Sequence, residues 1–243
     1  MNWSSEGYIL SARKHGETAA IIDVLTPDYG RHLGLVRGGI SRKFRPVLQP
    51  GNKVKIDWSA RLSEHLGVFL VEPLEYNAAE IMEDRLSLAA LNSLCGIARE
   101  SLPEREVHLN VYQAFEVVLK NITFHEIWPA LYIKWELGLL SAMGYGLDLN
   151  SCAASGSKEN LTHVSPRSGR AVSANEAEPY ADKLLLLPKF LIANEGITPE
   201  DLRLGLKLTG FFLETRLQWG VNKTLPIERR RMIDLLTETG CII

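Results

Sequence analysis

Along the first 75 residues, apolar positions recur at every second residue in short runs divided by turn formers. In "NKVKIDWSA", Val54, Ile56 and Trp58 fall on one side of an extended chain, and Lys53, Lys55 and Asp57 on the other. The runs "EGYILSARK", "TAAIIDVLTP", "RHLGLVRGG" and "GVFLVEPLE" also read as strands, broken at His15-Gly16-Glu17 and at Pro27-Asp28-Tyr29-Gly30. Five short strands with frequent turn signals predict a small antiparallel barrel of the OB type. No helix of useful length fits among them.

Near residue 78 the period changes. Leu88, Leu91, Leu94, Cys95 and Ala98 stand at helical spacing, and so do Val107, Val111, Ala114, Phe115, Val118 and Ile122. "HEIWPALYIKWELGLLSAMGYG" predicts a third helix, with Trp128-Pro129 in its first turn and Gly144 at its end. A polar, Ser- and Gly-rich segment at 150–179 reads as irregular, and helical patterns resume at 180–194, 199–218 and 226–239. The fold class is therefore all-β followed by all-α: an OB-fold barrel over residues 1–77, then a helical domain over 78–243 carrying the irregular insertion. No internal repeat is visible.

The composition suits a folded chain of 243 residues, with 46% hydrophobic and 23% charged side chains. No apolar run reaches the length of a transmembrane helix, and the N-terminus lacks the basic and apolar regions of a secretory signal. Cys95, Cys152 and Cys241 are far apart and odd in number, which argues against a disulfide framework and for a reducing cytoplasm.

Charge changes the picture more. Residues 1–61 hold ten Lys and Arg against five Asp and Glu, whereas the chain as a whole has net charge -2. Residues 30–55 contain seven Lys and Arg and no Asp or Glu. A polyanion partner accounts for this asymmetry. A basic face that docks on the acidic remainder, or two domains of differing composition, accounts for it as well.

On the strand reading, Arg31, Arg37, Arg42, Lys43, Arg45, Lys53 and Lys55 share one side of the barrel across the third strand, the following loop and the fourth strand. Small OB barrels bind single-stranded nucleic acid through a basic groove with stacking aromatics. Phe44, Tyr29 and Trp58 are the nearby aromatics; the alternation of Trp58 with Val54 and Ile56 assigns it to the core. The cluster departs from the usual OB site, which uses the loops after the first and fourth strands.

Enzymatic readings find little support. There is no P-loop, dinucleotide fingerprint or nucleophile elbow. His163 and Ser165 have no evident third partner and read as part of a solvated loop. In "SPRSGRAVS", Arg167 and Arg170 flanking Gly169 are secondary anion contacts if the turn exposes its N–H groups, and otherwise exposed arginines on a tight structural turn. "ERRRM" at 228–232 reads as a solvated helix face. Cys152 has no cysteine partner nearby: position 155 is Ser155 and position 173 is Ser173. Tetrahedral zinc wants four Cys or His ligands, so no metal or other cofactor is expected.

Four segments then carry a family likeness: "GYILSARKHGETAAIIDVLTPDYGR", "RGGISRKFRPVLQPGNKV", "WELGLLSAMGYGLDLNSC" and "SPRSGRAVS". In order and at these spacings, the chain resembles the bacterial recombination mediator family RecO over essentially its whole length. The resemblance implies an OB-fold joined to a helical domain, and a non-enzymatic protein that binds single- and double-stranded DNA and anneals complementary strands. It implies that RecR is a partner, that the acidic tail of single-stranded DNA-binding protein (SSB) is contacted by the helical domain, and that RecA is helped onto SSB-coated DNA. The implied location is the cytoplasm, at the nucleoid, with no membrane contact. Many members carry two cysteine pairs around residues 152–176 and bind zinc there; only Cys152 remains of that pattern, so the site is expected to be zinc-free. Arg37, Arg42, Lys43 and Arg45 lie where the family segment and the charge argument coincide. A plain single-stranded nucleic-acid binder, for RNA among other targets, without mediator activity is the alternative, and a protein-docking scaffold is a second.

Overall fold

The computed structural model describes residues 1–193, 196–217 and 224–242. The chain forms two compact units, Met1–Thr123 with Pro226–Met232, and Phe124–Leu225 with Ile233–Ile243. The first is built on strands β1 (Asn2–His15), β2 (Ala19–Thr26), β3 (Gly30–Val36), β4 (Lys53–Ser59) and β5 (Val68–Glu75), which close into a barrel in the order β1-β2-β3-β5-β4. All five strands fall where the alternation places them.

β1 closes the barrel because it is long enough to serve two neighbours. Its first half pairs with β4, from Asn2↔Ser59 to Tyr8↔Lys53, and its second half with β2, from Tyr8↔Leu25 to His15↔Ala19. The register slips between Ile9 and Ser11, and the irregularity bends the strand from one partner to the other. The last seam is short and parallel, at Leu35↔Val68. Ile9, Ile22, Val24, Val54, Ile56, Trp58 and Phe69 fill the interior. At the β2–β3 turn only glycine fits position 30: its φ is +65°, and a Cβ there would lie 2.0 Å from the carbonyl oxygen of Glu106.

Between β3 and β4 the chain makes successive turns rather than a regular helix, with Arg45 N–H donating to Ser41 O (3.0 Å) and Leu48 N–H to Phe44 O (2.9 Å). Val47 and Leu48 are buried in the barrel core, and Phe44 packs against it from a half-buried position. The buried Asn52 ties this loop down: its Nδ2 donates to the carbonyls of Pro46 (2.8 Å) and Val47 (3.0 Å), while its Oδ1 accepts from Ala78 N–H (3.0 Å). The backbone of β1 adds a reciprocal pair, Ile9 N–H to Asn52 O (3.0 Å) and Gly51 N–H to Ile9 O (2.8 Å).

The barrel is followed in this unit by three helices, α1 (Asn77–Ile81), α2 (Arg85–Ser101) and α3 (Leu109–Lys120), and the unit also takes in Pro226–Met232 near the end of the chain. Asp84 starts α2 by accepting from the N–H groups of Leu86 and Ser87 at 3.3 and 3.0 Å. The helical reading of 78–102 thus holds, with a break at 82–84 where the cap must sit.

In the second unit, α4 (Trp128–Ala142) packs on α6 (Pro199–Arg216). Trp128, Tyr132, Trp135, Leu139, Phe212 and Leu213 are buried in its core. Pro129 occupies the first turn of α4, and Gly144, at φ +83°, follows its end. A capping box between Thr198 and Asp201 starts α6. The last helix, α7 (Ile227–Glu238), lies within the predicted 226–239.

Two readings of this region are corrected. The segment 150–179 is not wholly irregular: β6 (Leu161–Val164) and β7 (Ala171–Ser173) form a hairpin across the "SPRSG" turn, followed by the one-turn helix α5 (Ala174–Ala177). The predicted helix at 180–194 is absent over 180–193. There, 3₁₀ turns at Glu178–Lys183 and Lys189–Leu191 flank the two-residue strand β8 (Leu185–Leu186), which extends the sheet to the order β7-β6-β8. Pro188 explains the failure, because it has no N–H for a helix and biases Leu187 towards extended backbone; Leu187 instead donates to Thr162 O at 2.9 Å. The predicted helix ends at 194 and 218 lie outside the described residues.

The Asn52 side chain is the least replaceable anchor of the β3–β4 loop. Asn52→Ala leaves two carbonyls and one amide without partners, and at about 1 kcal/mol per bond it should cost roughly 2–4 kcal/mol in urea unfolding. Asn52→Asp should cost a similar amount, because a carboxylate cannot donate to the two carbonyls.

Candidate nucleic-acid interface

The structure divides the seven basic residues of 30–55 into two groups. Arg31, on β3, points into a carboxylate: its Nε lies 2.9 Å from Asp23 Oδ2, and its Nη1 donates to Leu102 O at 2.7 Å. Burial pushes the Asp23 carboxyl up to about 6, against the pull of Arg31. Lys53, on β4, sits 3.3 Å from Glu116 and 3.5 Å from Glu6. Burial works against its charge, but the hydrogen bond and charge of Glu116 outweigh burial and hold the ammonium above its usual range. Glu116 also accepts from Tyr8 Oη at 2.7 Å and pairs with Lys120 at 3.3 Å. Lys55 lies 3.9 Å from Glu72, both exposed.

The other four residues stand on the loop itself. Arg37, Arg42, Lys43 and Arg45 are exposed, and among the described residues none makes an ion pair. The loop turns away from β3 at Gly38, with φ +67°, and returns close to β2, where a Cβ on Gly39 would lie 2.7 Å from that of Ala20. Ile40 N–H then donates to Thr18 O at 3.3 Å.

This close approach creates a concavity of about 350 Å³ that the sequence reading did not anticipate. Arg13 and Lys14 of β1 line it together with Gly39, Ile40, Arg45 and Pro50, and no acidic side chain is among its walls. The register places Arg13 opposite Ile21 and Lys14 opposite Ala20, at the end of the β1–β2 ladder that the loop covers. Both cations are exposed and, among the described residues, without an ion pair. The signal was present in "SARKHG", two adjacent cations closing a strand before a glycine turn, but it lies outside the carboxylate-free stretch.

The aromatic candidates separate as well. Trp58 is 2% exposed and its Nε1 donates to Leu66 O at 3.0 Å, so it belongs to the core as its alternation predicts. Tyr29 is 37% exposed and stacks on Trp3, with centroids 4.2 Å apart and planes at 13°. Lys43 Nζ lies 5.9 Å from the centre of the Phe44 ring.

In the second unit, Arg170 is paired with Asp148 at 3.3 Å, and Arg167 is exposed. His163 and Ser165 do not meet: His163 Nδ1 lies 2.9 Å from Thr162 Oγ1, and Ser165 Oγ accepts from Ser168 N–H at 3.4 Å. Cys152 is buried, and its sulfur accepts from Ser173 N–H (3.3 Å) and Ser173 Oγ (3.4 Å). Burial pushes this thiol up, but donors from Ser155 and Ser173 outweigh burial and bring it down to about 6. One thiol among hydroxyls does not fit zinc, which takes thiolates and imidazoles. Among the described residues no three His, Cys, Asp or Glu side chains gather as a metal site would require.

The family model for the N-terminal part of recombination protein O matches residues 1–76, and that for its C-terminal part matches residues 82–225. The chain is 48% identical over 238 residues to a DNA repair protein RecO of Methylobacterium nodulans, covering 96% of each chain. It is 45% identical over 240 residues to that of Hyphomonas neptunium, covering 98% of this chain and 99% of the relative. It is 43% identical over 239 residues to that of Caulobacter vibrioides, covering 98% of each. Barrel, helices and matches together define a protein of DNA repair and recombination. Across nearly its whole length, the chain belongs to the recombination protein O (RecO) family.

The two groups of cations should respond differently to mutation. Arg31→Ala strands a buried carboxylate and should cost about 3–5 kcal/mol in urea unfolding at pH 8, whereas Lys55→Ala should stay within about 0.5 kcal/mol. Asp23 is neutral below about 6 and charged above. Whatever it contributes is therefore fully present at low pH and lost as pH rises, more so without Arg31. The Arg31→Ala penalty should accordingly be smaller at pH 5 than at pH 8.

Proposed function

We propose that this chain is a non-enzymatic recombination mediator. It binds single- and double-stranded DNA through the β3–β4 loop and the adjoining end of β1. It anneals complementary strands and, with RecR, helps load RecA onto single-stranded DNA coated by SSB, whose acidic tail it contacts. It works without zinc or another cofactor, in the cytoplasm at the nucleoid. Among the described residues, no helix is long and apolar enough to cross a membrane.

The observation that carries this reading is a concavity lined by the exposed, unpaired cations Arg13, Lys14 and Arg45 and by no acidic side chain, on the loop that also exposes Arg37, Arg42 and Lys43. Cations that lack protein partners keep their charge for a ligand, and a row of them on a fixed loop suits a phosphodiester backbone. Such contacts carry no base preference, and an annealing protein must accept any sequence. Membership of the RecO family adds the repair setting.

Fluorescence anisotropy with labelled single-stranded DNA over a salt series tests the site. Wild-type log affinity should fall with log salt, and Arg42→Ala/Lys43→Ala/Arg45→Ala should bind more weakly with a slope shallower by about 2, at roughly 0.7 per lost phosphate contact. Equal binding by both proteins would remove DNA from this loop. Annealing of SSB-coated complementary strands tests the mediator role. A plain single-strand binder is blocked by the SSB coat, whereas a mediator is not.

A further inference from the structure

The second unit carries a separate concavity of about 240 Å³. It is walled by Tyr145 and Leu147 beyond α4, by Arg167 and Gly169 of the β6–β7 turn, and by Phe212 and Arg216 near the end of α6. We propose that this concavity is a second nucleic-acid contact, which holds one nucleotide of a single strand by its phosphate on the two arginines and its base on the Tyr145 ring.

The lining residues include two arginines and no Asp or Glu. Arg216 donates through Nη2 to the carbonyls of Pro166 and Arg167, so it braces the turn that presents Arg167, and its partners there are neutral. Among the described residues neither Arg167 nor Arg216 makes an ion pair; the nearby Arg170, by contrast, is matched by Asp148 at 3.3 Å and does not line the cavity. Two arginines without an acidic partner among the described residues, lining one space, suit the tetrahedral oxygens of a phosphate. The turn is tightened by Gly169, at φ +70°, where a Cβ would come within 3.0 Å of Leu147 Cδ2. A side chain there would crowd the space the two arginines share.

Tyr145 supplies the second half of the argument. The residue is 43% exposed and lines the cavity together with Leu147 and Phe212. A base stacks on such a ring, and removing the ring weakens binding by roughly ten-fold or more. Paired bases have no free face to offer it, so the ligand is single-stranded. The cavity is smaller than the roughly 300–1,000 Å³ of sites that enclose a whole small molecule. It suits one link of a chain whose remainder lies outside. This inference rests on the reading that the protein handles single-stranded DNA, and it places a contact for a strand on each compact unit.

The test is the stoichiometry of the full-length chain with the hexanucleotide dT6, by native mass spectrometry and by titration. Wild type should bind two dT6 per chain. Tyr145→Ala/Arg167→Ala, with both changes on exposed side chains, should bind one and should lose about ten-fold or more in affinity at the missing site. Tyr145→Phe should keep both. The Arg42→Ala/Lys43→Ala/Arg45→Ala variant should also bind one, by this cavity. If that variant keeps two while Tyr145→Ala/Arg167→Ala keeps one, the loop assignment fails and this site stands. If Tyr145→Ala/Arg167→Ala still binds two dT6, the proposal is wrong. It is equally wrong if that variant loses only the binding of a labelled tetra-aspartate peptide, because the cavity then belongs to acidic peptides.

Discussion

A loop rich in like charges repels itself, and it stays in one place only if contacts other than those charges hold it or carboxylates neutralise them. Here that constraint is met from beneath. Val47 and Leu48 are buried in the barrel core, and Asn52 satisfies two loop carbonyls and the first turn of α1 with one side chain. None of these anchors is charged. Arg37, Arg42, Lys43 and Arg45 therefore need no carboxylate to hold their loop, and the absence of Asp and Glu from 30–55 follows as a physical possibility before any ligand is considered.

The same barrel shows what a structural cation looks like. Arg31 lies between Asp23 and the carbonyl of Leu102, and Lys53 between Glu116 and Glu6, each with its charge spent inside the protein. All of these partners come from outside 30–55, so the carboxylate-free stretch is neutral in part only because other segments neutralise it. The proposed phosphate contacts are consequently those of the loop and of Arg13 and Lys14, which line its concavity, rather than the whole stretch. The barrel strands supply rigidity; the loop supplies charge.

The barrel was legible because a closed sheet with one buried face writes a period of two into its strands, as at Val54, Ile56 and Trp58. α2, α3, α4 and α6 were legible from their period, and α4 also from Pro129 at its start and Gly144 past its end. What escaped had too little chain to set a period. β6, β7 and β8 run for four, three and two residues, and "LLLLP" looks as much like a helix as a strand until Pro188 is weighed. The candidate site was half legible. Charge density pointed to the loop, but sequence spacing cannot tell a free arginine from a paired one: Asp23 reaches Arg31 across a strand pair, and Glu116 reaches Lys53 from α3. Arg13 and Lys14 were missed for the converse reason, since only the closure of the loop over the end of β1 and β2 brings them to Arg45.

The central claim is that DNA meets the unpaired cations and not the paired ones. Arginine footprinting measures this directly: phenylglyoxal modification of the full-length protein, with and without saturating single-stranded DNA, read residue by residue by mass spectrometry. Arg13, Arg37, Arg42 and Arg45 should react readily in the free protein and be protected by DNA, while Arg31 should be unreactive in both. Uniform reactivity at Arg37, Arg42 and Arg45 with and without bound DNA would contradict the account.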